Sequence, residues 1–329
     1  MENVGQLFAD FSTIKVGVIG DVMLDTYLWG GVERISPEAP VPIVSVTKKE
    51  QRIGGAGNVA LNLQSLGAEA FVISVMGDDE DAMCLTQLFS DSSINTTYSL
   101  NSSSRITTNK TRIISRNQQM MRLDAELTND LAEVEQEVLL SNFRAFIETE
   151  APHIVILEDY NKGVLTETVI QEVVAICKEH NVLTAVDPKR KNFFAYKGVD
   201  IFKPNLKEVK EALNILFVDA ELPLMQEIHE LLRLELHHHI SLITLSEKGV
   251  FYQHGEGANI IPSHIRSIAD VSGAGDTVIA VAALVYAVRK NVHLMAEIAN
   301  IAGGLVCEEV GTAAISRTEL LHECELLLS

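Results

Sequence analysis

The run Asp270-Val271-Ser272-Gly273-Ala274-Gly275-Asp276-Thr277 sets three small residues directly before a carboxylate, at the mouth of an apolar stretch whose spacing predicts a helix from about Thr277 to Val288. Small residues let backbone N–H groups close around an anion, and the positive end of a helix adds a favourable field. Gly273, Ala274 and Gly275 therefore read as an anion hole fit for a phosphoryl group. Asp276, fixed beside that hole, is placed to take a proton from a substrate hydroxyl as phosphate arrives. Positioning and charge stabilisation of this kind are what phosphoryl transfer asks of a protein. A Gly turn capped by aspartate would give the same four letters, so the rest of the chain has to decide.

Gly54-Gly55-Ala56-Gly57-Asn58-Val59-Ala60 contains G-x-G-x-x-A, with Asp78 or Glu80 about 20 residues on, the outline of a dinucleotide fingerprint. That fingerprint must follow an apolar strand, whereas Lys48–Arg52 precede it here and the first strand, Val16–Ile19, leads to Asp21 instead. The segment is read as a Gly turn that brings backbone N–H groups and the Asn58 side chain against a polyhydroxylated ligand; Asn58 as a helix cap is the alternative. No G-x-x-x-x-G-K-[ST] occurs, which removes a P-loop.

Asp21 and Asp25 follow the first strand, at the end where open α/β sheets bind ligands and where carboxylates suit sugar hydroxyls. Turn and capping roles would also suit them. Arg105, Lys110, Arg112, Arg116 and Arg122 form a short basic segment. Lys110 and Arg112 share a strand face by period-2 alternation, which makes them the better-placed partners for a phosphate monoester. Lys162, in Asp159-Tyr160-Asn161-Lys162-Gly163 after the strand Ile154–Leu157, is a further phosphate contact. Asn205 and Glu208 have the spacing of a capping box, and read functionally they lie near a nucleotide and its magnesium. Thr244-Leu245-Ser246-Glu247-Lys248-Gly249 ends the next strand in a small-residue turn able to border an adenine or ribose.

The elements that must position these groups alternate along the chain. Short apolar runs at Val16–Ile19, Ala70–Val75, Ile154–Leu157, Leu183–Val186, Ile201–Phe202 and Leu242–Leu245 read as buried strands of a mainly parallel sheet. Gly57–Ser65, Asp81–Ser90, Glu133–Ile147, Glu167–His180, Leu206–Leu213 and Glu221–Glu235 have amphipathic helical spacing. Tyr27–Gly31, Val41–Val46, Thr107–Ser115 and Gln119–Leu123 alternate without helices between them, and read as a small sheet lying over one end of the large one. With no repeat or long linker, residues 1–329 are expected to form one α/β domain with a lid drawn from about 27–47 and 106–123.

A formal net charge of −19 argues against binding nucleic acid or an anionic membrane, both of which need a basic face. Cys84, Cys177, Cys307 and Cys324 lie far apart without a CxxC pair, which fits reduced thiols and a cytoplasmic setting. Neither a leader at Met1–Lys15 nor a run of ~18 apolar residues is visible. His237-His238-His239 reads as a solvated helix end, because consecutive helical residues point in different directions.

Taken in order, Gly54-Gly55…Asn58, Asn205-Leu206-Lys207-Glu208 and Gly273-Ala274-Gly275-Asp276 resemble the ribokinase-like carbohydrate kinases, the PfkB family, over nearly the whole chain. Gly20–Asp25, Arg34–Pro42, Ser115-Arg116-Asn117-Gln118-Gln119 and Asp159–Gly163 resemble the members of that family that act on D-glycero-β-D-manno-heptose 7-phosphate. The resemblance implies a ribokinase-like fold with a β-sheet lid, and ATP- and Mg²⁺-dependent phosphorylation of the anomeric hydroxyl to the 1,7-bisphosphate. That reaction lies on the route to the ADP-heptose of lipopolysaccharide core. It makes Asp276 the base, Gly273–Gly275 the anion hole, and Asn205 and Glu208 the groups that order phosphates and Mg²⁺. Thr244, Ser246, Gly249 and Asn300 would line the nucleotide. Asp270 and Gly311 match positions that hold a monovalent cation, K⁺, in some relatives. Asp21, Asp25, Gly54, Gly55, Asn58, Arg112 and Lys162 would hold the heptose phosphate, with Lys110 beside them. Gly57 stands where fused relatives often carry Ala. A chain read to Ser329 leads to the expectation of a free-standing kinase served by a separate nucleotidyltransferase, and the lid's edge strands lead to that of a homodimer. A kinase for another sugar phosphate and a non-catalytic sugar-phosphate sensor are the alternatives; the sensor would usually lose the base or the anion hole.

Overall fold

The computed structural model describes residues 3–116, 118–217, 219–264 and 268–328; Asn117 of the Ser115–Gln119 motif lies outside them. Helix α1 (Val4–Asp10) leads into β1 (Lys15–Gly20), followed by two long strands, β2 (Val22–Ile35) and β3 (Pro42–Gly55). Next come α2 (Ala56–Leu66), β4 (Glu69–Ile73), β5 (Val75–Gly77), α3 (Glu80–Asp91), β6 (Leu100–Ser102), β7 (Asn109–Ser115) and β8 (Gln118–Ala125). The alternating part continues with α4 (Glu133–Glu150), β9 (Ile154–Glu158), α5 (Glu167–Glu179), β10 (Leu183–Asp187), β11 (Ile201–Phe202), α6 (Leu206–Leu213), α7 (Leu222–Leu236) and β12 (Ile240–Thr244). A hairpin of β13 (Val250–His254) and β14 (Gly257–Ile261) precedes α8 (Ala274–Arg289), α9 (Val292–Val306) and α10 (Arg317–Leu327).

The large sheet runs β14-β13-β12-β11-β10-β9-β1-β4, parallel from β12 to β4 and antiparallel in the terminal hairpin. Its parallel strands are apolar on both faces, because helices cover both: β9 is buried at every residue, and separate apolar clusters lie on the two sides. The expected strands form, except that Ala70–Val75 stops at Ile73 and Val75 opens β5, which pairs with β6 in a separate two-stranded sheet. The hairpin went unforeseen, since β13 ends in the polar pair Gln253-His254 and the edge strand β14, Gly257–Ile261, is only partly buried, so neither presents a long apolar run.

The small sheet also forms, in the order β3-β2-β7-β8, with β2 parallel to β7 and the outer pairs antiparallel. Its strands are longer than expected, since β3 runs on through Lys48–Arg52. This corrects the reason for setting the dinucleotide fingerprint aside. A strand does precede Gly54-Gly55, but it is an antiparallel lid strand rather than the parallel strand of a βαβ unit.

The histidine run departs further from expectation. Helix α7 ends at His237, which takes a left-handed φ of 53°. His238, however, is buried, with Nε2 2.7 Å from Ser241 Oγ, and His229 Nδ1 lies 2.8 Å from the same hydroxyl. Burial, reinforced by the His229 ring, pushes the His238 imidazole down to about 3, so it stays neutral inside the fold. The four cysteines are free, and no helix among the described residues is long and apolar enough to cross a membrane.

Candidate active site

Register brings the site together at the carboxyl ends of the central strands. Gly20 of β1 sits opposite Glu158 of β9, and Glu158 sits opposite Asp187 of β10. Strand order turns at β1 and β9, the position where open α/β sheets leave a crevice for ligands. The N-terminus of α8 enters that crevice. Glu158, Asp187 and Asp276 then offer oxygens all within 4.8 Å of one another.

Helix α8 begins three residues earlier than the apolar pattern indicated, so Ala274, Gly275 and Asp276 form its first turn, with Gly273 as its left-handed cap at φ 79°. The first N–H groups of a helix have no partner within it, which keeps them available to an anion. One of the three expected donors is partly engaged, since Ala274 N–H donates to the Val271 carbonyl at 3.3 Å. A Cβ built on Gly275 would lie 3.6 Å from Asp187 Oδ2 and 3.7 Å from Lys203 Nζ, which places the start of α8 against a buried ion pair.

Asp276 is 3% exposed. Asn58 Nδ2 donates to its Oδ2 at 2.7 Å, and the Tyr160 hydroxyl donates to its Oδ1 at 2.7 Å. Burial pushes the carboxyl up to about 6 against the pull of these two donors, with Asp187 adding to the rise and Lys189 opposing it. Asn58 is thus no cap; it lies within α2, fully buried, and its Oδ1 has no partner among the described residues.

Cations gather beside Asp276. Lys203 Nζ lies 2.8 Å from Asp187 Oδ2, while Lys189 Nζ lies 3.1 Å from both Asp187 Oδ1 and Glu208 Oε1. Burial alone would lower Lys189 and raise Asp187; their mutual attraction, with Glu208 and Lys203, leaves Lys189 raised and Asp187 lowered. Among the described residues Glu158 has no such partner for either oxygen, and burial, then Asp187 and Asp276, push it well above the ordinary carboxylate range. Lys203 stood in the run Lys203–Glu208 and Tyr160 in Asp159–Gly163, neither with a role of its own, while Glu158, Asp187 and Lys189 were not singled out from sequence. Their signal was faint: each ends or follows an apolar strand run.

The aspartates after β1 have separate occupations. Asp21 faces the protein, accepting from the backbone N–H groups of Tyr160, Lys162 and Val164 at 2.8, 3.0 and 3.1 Å, and so holds the loop after β9 rather than presenting free oxygens to a ligand. Asp25 lies in the lid across from Lys110 and Arg52, and its Oδ1 takes Arg112 at 2.5 Å. Burial lowers Lys110, an effect Asp25 partly offsets. Lys162 Nζ reaches Glu126 Oε1 at 2.7 Å. The glycines earn close approach here, but to protein. A Cβ on Gly54 would stand 2.4 Å from Asp25 Oδ2, and one on Gly55, at φ 60°, 2.4 Å from the Asp21 carbonyl. Gly57 packs against Ile53 and Phe89, so its departure from Ala is a matter of helix packing.

On the far side, Asn205 and Glu208 close a full capping box, and Asn205 bridges to Thr244. Ser246 and Gly249 form the turn after β12, closed by Gly249 N–H donating to the Ser246 carbonyl at 3.1 Å. Asn300 Nδ2 donates to the Pro262 carbonyl at 2.9 Å. Glu208, through Lys189 and Asp187, is the member of this group that connects to the anion hole. Asp270 and Gly311 do meet: Asp270 Oδ2 accepts from Gly311 N–H at 2.9 Å, while Oδ1 accepts from Ser272 N and Oγ at 2.9 and 2.8 Å.

Residues 13–319 match the pfkB family of carbohydrate kinases. Bifunctional protein HldE of Geobacter sulfurreducens is 39% identical over 327 residues, which cover 97% of this chain and 65% of that protein. The HldE of Aliarcobacter butzleri is 40% identical over 305 residues, covering 92% and 63%. The chain thus spans under two thirds of the length of these curated relatives. Phosphofructokinase-2 from Escherichia coli in complex with potassium shares the fold at a TM-score of 0.81 and 16% identity, over 96% of this chain and 100% of that one. Arabidopsis thaliana ribokinase complexed with ribose and ATP does so at 0.70 and 16%, over 94% and 98%. A buried aspartate at a glycine-led helix start, set in a sheet with a β lid and matched along nearly its full length, places this chain in the pfkB family of carbohydrate kinases.

Proposed function

We propose that this protein transfers the γ-phosphoryl group of ATP to the anomeric hydroxyl of D-glycero-β-D-manno-heptose 7-phosphate. The observation that carries phosphoryl transfer is the Asp276 carboxylate, buried, held by two donors and set in the first turn of α8 beside Lys203 and Lys189. Support for the heptose comes from the resemblance of Gly20–Asp25, Arg34–Pro42 and Asp159–Gly163 to kinases of that sugar, and from similarity to proteins named HldE. The 1,7-bisphosphate would then lose its 7-phosphate by hydrolysis, and a separate nucleotidyltransferase would act on the remaining 1-phosphate on the route to the ADP-heptose of lipopolysaccharide, in the cytoplasm.

Asp276 takes the proton from the anomeric hydroxyl while the anomeric oxygen bonds to the γ-phosphorus. The bond from that phosphorus to the β–γ bridging oxygen breaks, and ADP leaves. Charge on the transferring group is met by the α8 N–H groups and by Lys203 and Lys189. Mg²⁺ would neutralise the nucleotide phosphates when bound. Glu208 would order it through water, since Lys189 holds its Oε1 at 3.1 Å and the Asn205 N–H donates to its Oε2 at 2.8 Å. Asp270 fits a monovalent cation poorly in this conformation, because three protein donors already occupy its oxygens. Thr244, Ser246 and Gly249 would border the nucleotide, and Asp25 and Asn58 the sugar.

ADP release measured over a panel of heptose 7-phosphates and hexose 6-phosphates tests the assignment. The heptose 7-phosphate is expected to give the highest kcat/KM, and a hexose 6-phosphate that exceeds it overturns the sugar. For the 7-phosphate, Arg112 and Lys162 are the proposed cations. Charge-assisted hydrogen bonds to phosphate are worth roughly 1.5–3 kcal/mol each, so Arg112→Ala and Lys162→Ala should each weaken sugar-phosphate binding by about one to two orders of magnitude. Affinity for a non-hydrolysable ATP analogue should stay within about twofold; loss of nucleotide affinity with sugar affinity intact would reverse the pocket. We also propose that the lid joins two copies of the chain, through edge strands that would otherwise be open.

A further inference from the structure

Tyr160 has no part in the transfer step just described, yet it is held more firmly than a space-filling loop residue requires. Its backbone N–H donates to Asp21, as do those of Lys162 and Val164. Asp159 Oδ1 accepts from Asn161 N–H at 2.7 Å, and Asp159 Oδ2 takes the buried Tyr196 hydroxyl at 2.7 Å. Gly163 turns at φ 93°, where a Cβ would stand 2.0 Å from the Asn129 carbonyl. Every one of these contacts fixes the loop that carries the Tyr160 ring.

That ring meets three charged groups. Its hydroxyl donates to Asp276 Oδ1 at 2.7 Å. Lys110 Nζ, from lid strand β7, lies 5.2 Å from the ring centroid, and Lys189 Nζ lies 5.4 Å from it. Both distances are inside cation–π reach. A carboxylate offers about four acceptor directions. Tyr160 and Asn58 take one on each oxygen of Asp276, from two different elements, which fixes the plane of the carboxylate and the direction of what remains.

We propose that Tyr160 is a positioning residue for phosphoryl transfer: its hydroxyl aims the Asp276 carboxylate, and its ring holds the Lys110 and Lys189 ammonium groups at the same site. The proposal rests on the kinase reading above and adds a residue to it. Two parts of one side chain do two jobs, and substitutions separate them. Tyr160→Phe removes the hydroxyl and keeps the ring; Tyr160→Leu removes both.

Steady-state kinetics on the sugar phosphate that the wild type turns over fastest, with melting temperature as the folding control, tests it. Loss of one hydrogen bond to a charged group is expected to lower kcat about tenfold in Tyr160→Phe, with KM for the sugar phosphate within about twofold of wild type. Tyr160→Leu should add a rise in that KM of about three- to tenfold as the lysines lose their ring. Because the hydroxyl acts through Asp276, Tyr160→Phe made in an Asp276→Asn background should cause no further loss. A Tyr160→Phe enzyme with kcat within about twofold of wild type overturns the proposal, as does a full tenfold loss that persists without Asp276. If the wild type turns over no sugar phosphate, the functional reading fails instead. The same ratios are then read from sugar-independent release of ADP, in which water replaces the sugar hydroxyl, so the two failures stay distinct.

Discussion

The base role proposed for Asp276 requires a deprotonated carboxylate, and its surroundings set when that happens. Burial raises its carboxyl to about 6, with Asn58 and Tyr160 holding it from rising further. Turnover should therefore increase as pH climbs through about 6 and level off above it; a kcat profile that is flat from pH 5 to 8 would remove Asp276 as the titrating base. Substituting it by asparagine keeps the shape and removes the proton acceptor. Asp276→Asn is expected to lower kcat by ~10²–10⁴ while leaving the affinity for an ATP analogue near wild type. Near-normal turnover in that variant would sink the assignment.

Helix α8 is the element on which this chemistry depends. Thr277 to Val285 are buried at every position, between α2, α9 and the central strands, so the helix that carries Asp276 has little room to shift. Its entry through Gly273 is equally constrained. At φ 79° a side chain is strained, and a Cβ there would stand 2.9 Å from Asn58 Nδ2, the donor on the base itself. Gly273→Ala should lower kcat at least tenfold, since an ångström of misplacement at reacting groups costs about 10²-fold, while the buried body of the helix keeps the protein folded. Unchanged kcat in a folded Gly273→Ala variant would show that the helix entry does not need left-handed backbone.

Across the molecule, the lid is tied to the body by a stack of charges. Arg52 and Arg112 lie 4.9 and 5.3 Å from the centre of the Tyr27 ring, and Arg52 donates to the Val310 and Thr312 carbonyls at 3.0 and 3.1 Å. That leaves the far side of the lid bare: Met121 and Leu123 on edge strand β8 are 54% and 52% exposed. Apolar side chains on an unpaired strand invite a partner strand. The wild type should sediment at twice the chain mass at micromolar concentration, and Met121→Glu with Leu123→Glu should return it to the monomer. A wild type that sediments only as a monomer would remove the lid as an interface.

How much of this was written in the chain depends on distance along it. Buried parallel strands are apolar on both faces, so Val16–Ile19 and Ile154–Leu157 announced themselves, and Leu206–Leu213 was legible to the residue as a helix because its cap and period are both local. The Gly273–Asp276 entry to α8 was legible for the same reason. What local pattern could not carry was partnership. Asp21 and Asp25 look alike in sequence, yet one is spent on the backbone after β9 and the other on Arg112, because strand register and a lid strand 87 residues away decide it. Tyr160 and Asn58 lie 116 and 218 residues from Asp276 and meet it only because β9 ends and α2 begins at the same crevice. His238 was expected in water and is buried, with a hydroxyl three residues on meeting one of its two ring nitrogens. Sequence by itself determined the elements and the chemistry available at their ends; tertiary structure decided which charged group neutralises which, because burial and a few ångströms of separation set that outcome.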